Sequence, residues 1–447
     1  MLEVKGRQTA KFIVQKTEEI LKIYDISLEQ ILTGTCDNGA NMLAAIKALD
    51  QNLQLVESER QPLDDDDSFE CINDDLYDEL IKEFESRICL VRCAAHTLQL
   101  AVTDVIKHTD IRIRSITNVV KNCRKIAYRD SFHMHNVPIP PMYSKTRWGG
   151  VYEMIFNLFE HESFYKDLGD QFKELDLSEH RDFIHEYENA LKPLYISTKE
   201  MQAKHLSLGD FYIQWLRCLM EVKQLTTNEL AKSLIISLTT RLQQLKNNFA
   251  FKAALLIDPR FNYLSSAVFM PEEKESIRNF IIATSKRIRA LKPVEPVVAT
   301  PSVPEPDTVT QDLDDFMTDL FGGVPPSANN DNVGQGQDSF IKQLNALDLE
   351  NHQNHKYDIW KHWKDRINSH PELAEVALSI MSVPSTQVSV ERSFSGLALV
   401  LSPARTNLTA KNLENILLVK LNSELLKTII PNMYDWKQYQ GLSALLE

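Results

Sequence analysis

The chain has 447 residues, of which 43% are hydrophobic, enough for sizeable cores and for two or three domains. No apolar run reaches the 18 residues that a transmembrane helix needs. The six cysteines (Cys36, Cys71, Cys89, Cys93, Cys123 and Cys218) are too sparse for a disulfide framework and fit a reducing compartment. The opening Met1-Leu2-Glu3-Val4-Lys5 lacks an apolar signal segment, so the expectation is an intracellular, soluble protein.

The formal net charge of −13 argues at first against a nucleic-acid partner. Its distribution changes that reading. Residues 57–85 carry −11 and residues 293–338 carry −9, which leaves +7 on the rest of the chain. A mildly basic body permits phosphate contacts.

In chain order, Phe12, Ile13, Ile20, Leu21 and Tyr24 recur at helical spacing and predict a helix over 7–24. Residues 30–36 read as a short buried strand, followed by the polar turn Asp37-Asn38-Gly39 and a helix to about Leu49. The acidic segment, with its Asp run at 64–67, reads as a solvated loop. Residues 88–93 read as a second strand. It leads into a helix from about Ala94 with Leu98, Ala101, Val102, Val105 and Ile106 on one face. Two strand-to-helix units therefore fall within the first 110 residues. From about 150 to 290 the pattern is helical, with Ile235, Leu238, Leu242 and Leu245 in one stripe and Pro259 marking a break.

Residues 293–338 have linker composition. Within them, 313–321 alternate acidic and large apolar residues, either as plain linker or as a stretch that folds onto a protein partner. Helical patterns return at 339–366, 371–381, 386–400 and 409–427. In the last, Leu413, Ile416, Leu417 and Leu421 form an apolar stripe behind Thr409 as N-cap.

Four places carry candidate chemistry. Asp37 ends a strand, where it is either a turn residue or a hard oxygen ligand for Mg²⁺. Glu391 is a carboxylate on a helix between apolar neighbours, where it reads as a surface pair with Arg392. Cys93-x-x-His96 has no second Cys/His pair at zinc-finger spacing, so His96 reads as a buried or orienting residue rather than a zinc ligand. Arg147-Trp148 follows a proline-rich turn. Its Trp is either core or a stacking surface for a base, with the cation clamping phosphate.

Taken together, these segments resemble the conserved blocks of hAT-superfamily transposases. Residues 35–42 resemble the block of the second catalytic aspartate, with Asp37 at its position. Residues 92–100 resemble the Cys-x-x-His block that follows it. Thr146-Arg147-Trp148 is similar to the block whose Trp is associated with a flipped base, and Leu256-Ile257-Asp258-Pro259-Arg260-Phe261 to a block of the helical insertion. Tyr357-Asp358-Ile359-Trp360 with Pro371-Glu372-Leu373-Ala374 resembles the start of the dimerisation segment. Residues 382–395 resemble the block of the catalytic glutamate, with Glu391 at its position, and Arg405, Leu408 and residues 414–422 resemble the closing helix. The blocks fall in the family's order across residues 35–422.

The resemblance implies an α/β plus all-α fold: a truncated RNase H-like core interrupted by a large helical insertion and completed by a helical C-terminal dimerisation segment. The expected domains are a partial core at 1–155, an all-helical insertion at 156–292, an acidic linker at 293–338 and the dimerisation segment at 339–447. The family's chemistry is DNA cleavage and strand transfer by three carboxylates holding two Mg²⁺ ions about 4 Å apart. The first of those carboxylates belongs to a strand meander ahead of the first helix. The chain opens at that helix, so the meander, the first aspartate and any BED-type zinc finger are expected to be missing, leaving a sheet edge exposed. Asp37 and Glu391 are then the remainder of an incomplete triad, expected within about 12 Å of each other, with Mg²⁺ bound only if the site is completed. His96, Arg147 and Trp148 are the DNA-contacting candidates, and Leu413, Leu417 and Leu421 the dimerisation candidates.

The expectation is therefore a catalytically inactive nuclear protein of transposase origin that works as a homodimer or higher oligomer. It binds DNA weakly and salt-sensitively at best, and has no membrane association. The alternative is a fragment of an active transposase performing Mg²⁺-dependent DNA cleavage and strand transfer. A third reading is a helical scaffold unrelated to transposition.

Overall fold

The computed structural model describes residues 9–60, 87–142, 148–202, 206–292, 334–401 and 408–423. The aspartate run at 64–67, Arg147, Arg405 and the 313–321 stretch lie outside them. The described residues are mostly helical, with one two-stranded parallel sheet. They fall into two compact units, 1–255 with 379–447, and 256–378.

In the first unit, helix α1 (Ala10–Ile23) starts at Thr9, whose Oγ accepts the Phe12 amide at 3.3 Å. Its apolar stripe is only partly covered. Val14 packs against a small core of Cys36, Ile46, Leu49, Leu53 and Ile88, while Ile20 and Ile23 are exposed.

Strand β1 (Thr33–Cys36) pairs in parallel with β2 (Cys89–Arg92), in register from Thr33 opposite Cys89 to Cys36 opposite Arg92. Both strands lie where the sequence predicts them. The first is shorter than expected because Leu28–Gln30 forms a 3-10 turn boxed by Ser27 and Gln30. A parallel pair needs a long crossover, and α2 (Ala40–Arg60) begins it. A Cβ on Gly34 would sit 2.9 Å from Ile46 Cδ1, so glycine allows α2 to lie directly on β1. Buried Asp50 of α2 accepts the Arg87 and Ile88 amides at 2.6 and 2.7 Å and so sets where β2 starts.

Helix α3 (Ala94–Ile106) buries Ala94, Thr97, Leu98, Ala101, Val102 and Val105, the face expected from the sequence except for half-buried Ile106. Burying Leu98 alone stabilises by about 2 kcal/mol. The helical stretch that follows comprises α4 (Asp110–Cys123), α5 (Ile126–Met134), α6 (Trp148–Glu160), α7 (Glu162–Gln171), α8 (Arg181–Met201), α9 (Leu208–Lys223), α10 (Glu229–Lys246) and α11 (Phe249–Leu256). Helix α10 lies along α3, with Ser237 Oγ donating to the Ala101 carbonyl at 3.0 Å and Arg241 Nε to Asp104 at 3.2 Å. Its buried stripe runs through Leu234, Leu238, Leu242 and Leu245. Leu234 takes the place expected for Ile235, which is half-buried, because at 100° per residue either can begin the stripe.

The second unit opens on a bend at Asp258-Pro259, directly after α11 ends at Leu256, so the break falls where the sequence predicts it. Asp258 and Arg260 are both buried there. Arg260 Nε donates to both carboxylate oxygens at 3.0 Å, and its backbone amide donates to Oδ1 at 2.9 Å. Trp363, fully buried, donates Nε1 to the Ile257 carbonyl at 3.2 Å. The unit's helices are α12 (Pro271–Ala290), α13 (Gly334–Ala346), α14 (Ile359–Asp365) and the greater part of α15 (Pro371–Met381). The helical pattern expected over 339–366 is therefore two helices. Between them the backbone pairs with the Asp258 bend instead of with itself: Leu264 donates to the Glu350 carbonyl at 3.0 Å, and Gln353 to the Pro259 carbonyl at 3.2 Å. Asp358 restarts the helix by accepting the Lys361 amide at 3.0 Å.

The chain returns to the first unit at Ser379 and closes with α16 (Val388–Val400) and α17 (Ala410–Leu421). Thr409 caps α17 as expected, its Oγ accepting the Asn412 amide at 3.3 Å.

Candidate functional site at the carboxyl ends of the strands

Asp37 follows the last residue of β1 and is partly buried. Its Oδ1 accepts the Gly39 amide at 2.9 Å, so Asp-Asn-Gly is an Asx turn that leads into α2. The neighbouring strand is tied to the same turn, for Arg92 Nη1 donates to Asn38 Oδ1 at 2.9 Å. One residue further, the Cys93 amide donates to the Cys36 carbonyl at 2.7 Å. In open parallel sheets this edge is where ligands collect, because the turns above the strands converge there.

A segment from the far end of the chain closes over this edge. Thr35 Oγ donates to the Pro384 carbonyl at 2.8 Å, and Gln387 Nε2 donates back to the Thr35 carbonyl at 3.1 Å. The Ala94 amide, first in α3, donates to the Ser385 carbonyl at 2.9 Å. Ser385 Oγ donates to the Leu206 carbonyl at 3.0 Å. Ser385 therefore serves as an anchor for the segment, and α16 starts behind Gln387 without a side-chain cap. Glu391 stands in the first turn of α16, exposed, with its amide bonded to the Gln387 carbonyl at 3.2 Å. Arg392 donates to the Gln202 carbonyl and so ties α16 to the end of α8.

The thiols at this edge are held neutral. Cys36 is pushed up to about 11, by burial first and then by the charge of Asp37. Cys93 is also raised. Burial outweighs the Gln387, His96 and Ala95 amides that point at its sulfur, and the Glu391 charge adds to the rise. The Gln387 amide lies 3.4 Å from Cys93 Sγ. Cys93 is thus the structural link between the start of α3 and the approach to α16.

The structure brings Asp37, Glu391 and the first turn of α3, with half-buried His96, to one end of the sheet. It places the other candidates elsewhere. Trp148 opens α6 and is 7% exposed, with its ring edge-on to Tyr195. On α17, Leu413 is buried, Leu417 half-buried and Leu421 exposed. Among the described residues, no three His, Cys, Asp or Glu side chains gather where they would hold a metal ion. Asp37 and Glu391 by themselves do not make up the donor set of a two-metal centre. Gln387 and Asp50 carried no sequence signal. Both act on backbone groups of distant segments, and such bonds leave no spacing pattern.

Residues 338–423 match the family model of the hAT family C-terminal dimerisation region. The matched segment runs from α13 to α17 and is similar to a dimerisation region. The match covers this segment alone and supports an hAT-family, transposase-derived origin for it. Comparison with curated proteins finds no match.

Proposed function

We propose that this chain is a non-catalytic, transposase-derived protein that acts in the nucleus as a homodimer and touches DNA only weakly. The observation that carries this reading is the dimerisation-region match over residues 338–423. Its last two helices, α16 and α17, turn large apolar side chains to solvent, as a self-associating surface does.

The β1–β2 pair, flanked by α1, α2 and α3 and closed by the 382–387 segment, is read as part of an RNase H-like core. Three features support that reading. The strands are parallel, the second carboxylate position ends β1, and the helix with the third docks beside it. In this reading Asp37 works as a turn former and Glu391 as a surface residue of the dimerisation segment. DNA contact falls to the mildly basic body, with His96 and Arg147 as candidates. Buried Trp148 fixes the chain directly after Arg147. Binding of this kind is carried by phosphates and weakens steeply with salt.

The test combines sedimentation of the purified chain with a nicking assay on supercoiled DNA in Mg²⁺ or Mn²⁺. A dimer that cuts nothing is the expected result. Metal-dependent nicking that disappears in both Asp37→Asn and Glu391→Gln would overturn the non-catalytic reading. A monomer at micromolar concentration would overturn self-association.

A further inference from the structure

Helix α5 ends in a cap that folds the chain back along it. Asn136 takes the left-handed conformation, with φ of 53°. Its amide donates to the His133 carbonyl at 3.2 Å, and the Val137 amide donates to the Phe132 carbonyl at 3.0 Å. This is the bonding of a Schellman cap, with asparagine where the backbone needs positive φ. The segment that leaves the cap holds Pro138, Pro140 and Pro141, whose fixed φ keeps it stiff. Asn157 of α6 donates to the Pro138 carbonyl at 3.1 Å, and Arg124, just ahead of α5, donates to the Pro140 carbonyl at 2.8 Å. The returning segment is therefore pinned beside α5 at both levels.

A cavity of about 480 Å³ lies between the helix and this segment. Pockets of roughly 300–1,000 Å³ with an apolar lining and a few polar groups are ordinary ligand sites. The apolar lining comes from Phe132, Val137, Pro138 and Ile139. The polar lining is Arg129, His133 and Asn136, all exposed. Arg129 and His133 are one turn apart and share a helix face. Asp130, the carboxylate of α5, is turned about 100° away from Arg129. Lys125 is engaged by Glu174 at 3.2 Å, whereas Arg129 has no partner among the described residues. The surroundings are basic too. Residues 107–135 hold seven Lys or Arg and two Asp, so +5 of the +7 outside the two acidic segments is concentrated here.

We propose that this cavity binds a short acidic segment of a protein partner, with a carboxylate on Arg129 and a large apolar side chain against Phe132, Val137 and Ile139. The guanidinium fork matches a carboxylate with two parallel hydrogen bonds. The unpaired cation and the basic surroundings select an acidic ligand. The apolar lining selects a peptide over a nucleic acid. Phe132 is 2% exposed and edge-on to Phe164 and Tyr165, so its ring offers no face on which a base could stack. Val137, Pro138 and Ile139 are aliphatic and suit leucine or phenylalanine side chains. Because the cap and the prolines hold the cavity open in advance, binding costs little ordering of the protein. The cavity shares no residue with the strand-end edge.

The experiment is fluorescence anisotropy on the full chain, with a short labelled peptide that alternates aspartate with leucine and phenylalanine. Saturable binding is expected. Arg129→Glu should weaken it by about tenfold or more, as loss of a charge-assisted contact does. Lys223→Glu makes the same charge change at an exposed position on α9 and should leave it unchanged. Two control peptides, one with asparagine for aspartate and one with serine for the apolar residues, should both bind more weakly than the parent. Circular dichroism melts check that both variants are folded. Absence of binding, or equal affinity in folded Arg129→Glu, would overturn the proposal. Equal losses in the two variants would do so as well, by tracing the effect to net charge. A single-stranded oligonucleotide that displaces the peptide and itself depends on Arg129 would assign the cavity to nucleic acid instead.

Discussion

Gln387 donates its side-chain amide to the Thr35 carbonyl at 3.1 Å, and in return Thr35 Oγ donates to the Pro384 carbonyl at 2.8 Å. This reciprocal pair joins the last residues of β1 to the segment before α16, across some 350 positions of sequence. It brings the helix that carries Glu391 to the strand that ends at Asp37. Each side chain bonds to a backbone carbonyl of the other segment.

Thr35→Val and Gln387→Ala are each expected to destabilise the first unit by about 1 kcal/mol, the net worth of one hydrogen bond. The two losses should not add, because the bonds hold the same segment. Urea unfolding of both single variants and the double variant measures this. Strict additivity would mean that the 382–387 segment is held mainly by other contacts, such as Ser385 on the Leu206 carbonyl.

Asp258 and Arg260 form a buried ion pair with the Arg260 backbone amide added to it. Removing one partner leaves the other charged and enclosed. Arg260→Met is expected to cost roughly 3–5 kcal/mol. Replacing both residues with apolar ones should cost clearly less. Thermal melts of the single and double variants test the difference, and equal losses would show that the bend depends on the amide bond rather than on the charges.

His362 links the stability of the second unit to pH. Its ring lies beside the Tyr357 hydroxyl at 3.0 Å and against Arg366. Burial, and then the Arg366 charge, pull it down from about 6.5 to about 4. Glu350 lies 3.8 Å away, but its carboxylate is engaged by Arg366 at 2.6 Å. The unfolded chain takes up a proton below about 6.5, whereas the folded chain takes it up only near 4. The stabilisation from neutral His362 is therefore full above about 6.5 and is lost as pH falls towards about 4. Denaturation midpoints should drop across that window in the wild type and drop less in His362→Gln. Parallel curves would assign the slope to the carboxylates.

Leu413→Ala should separate packing from association. The side chain is buried between α17 and the rest of its own unit, so truncation is expected to lower stability by about 3 kcal/mol. Its sedimenting mass under native conditions should match the wild type. A monomeric but equally stable variant would place Leu413 in the contact between copies.

Much of the architecture was legible in the amino-acid sequence because it is local. The two strands, the Asx turn at Asp37, the cap at Thr409 and the break at Pro259 follow from residue types at short spacings. The dimerisation region was legible as an ordered set of short blocks, and the family match covers the C-terminal ones. The 347–358 interruption was not, because helix spacing continues through it while the backbone groups find partners at the Asp258 bend.

By itself, then, the sequence determined most of the helices, both strands and the turns at Asp37 and Pro259, and that the C-terminal region resembles the hAT dimerisation segment. Only the tertiary structure decided which side of α17 is core, that Asp50 sets the start of β2, and that Gln387 brings the Glu391 helix to the Asp37 strand. The physical reason is common to all three. Periodicity shows that a helix has an apolar face, but not what covers it. A side chain that bonds to a distant backbone group leaves no trace in the spacing of residues, since every residue offers the same amide and carbonyl.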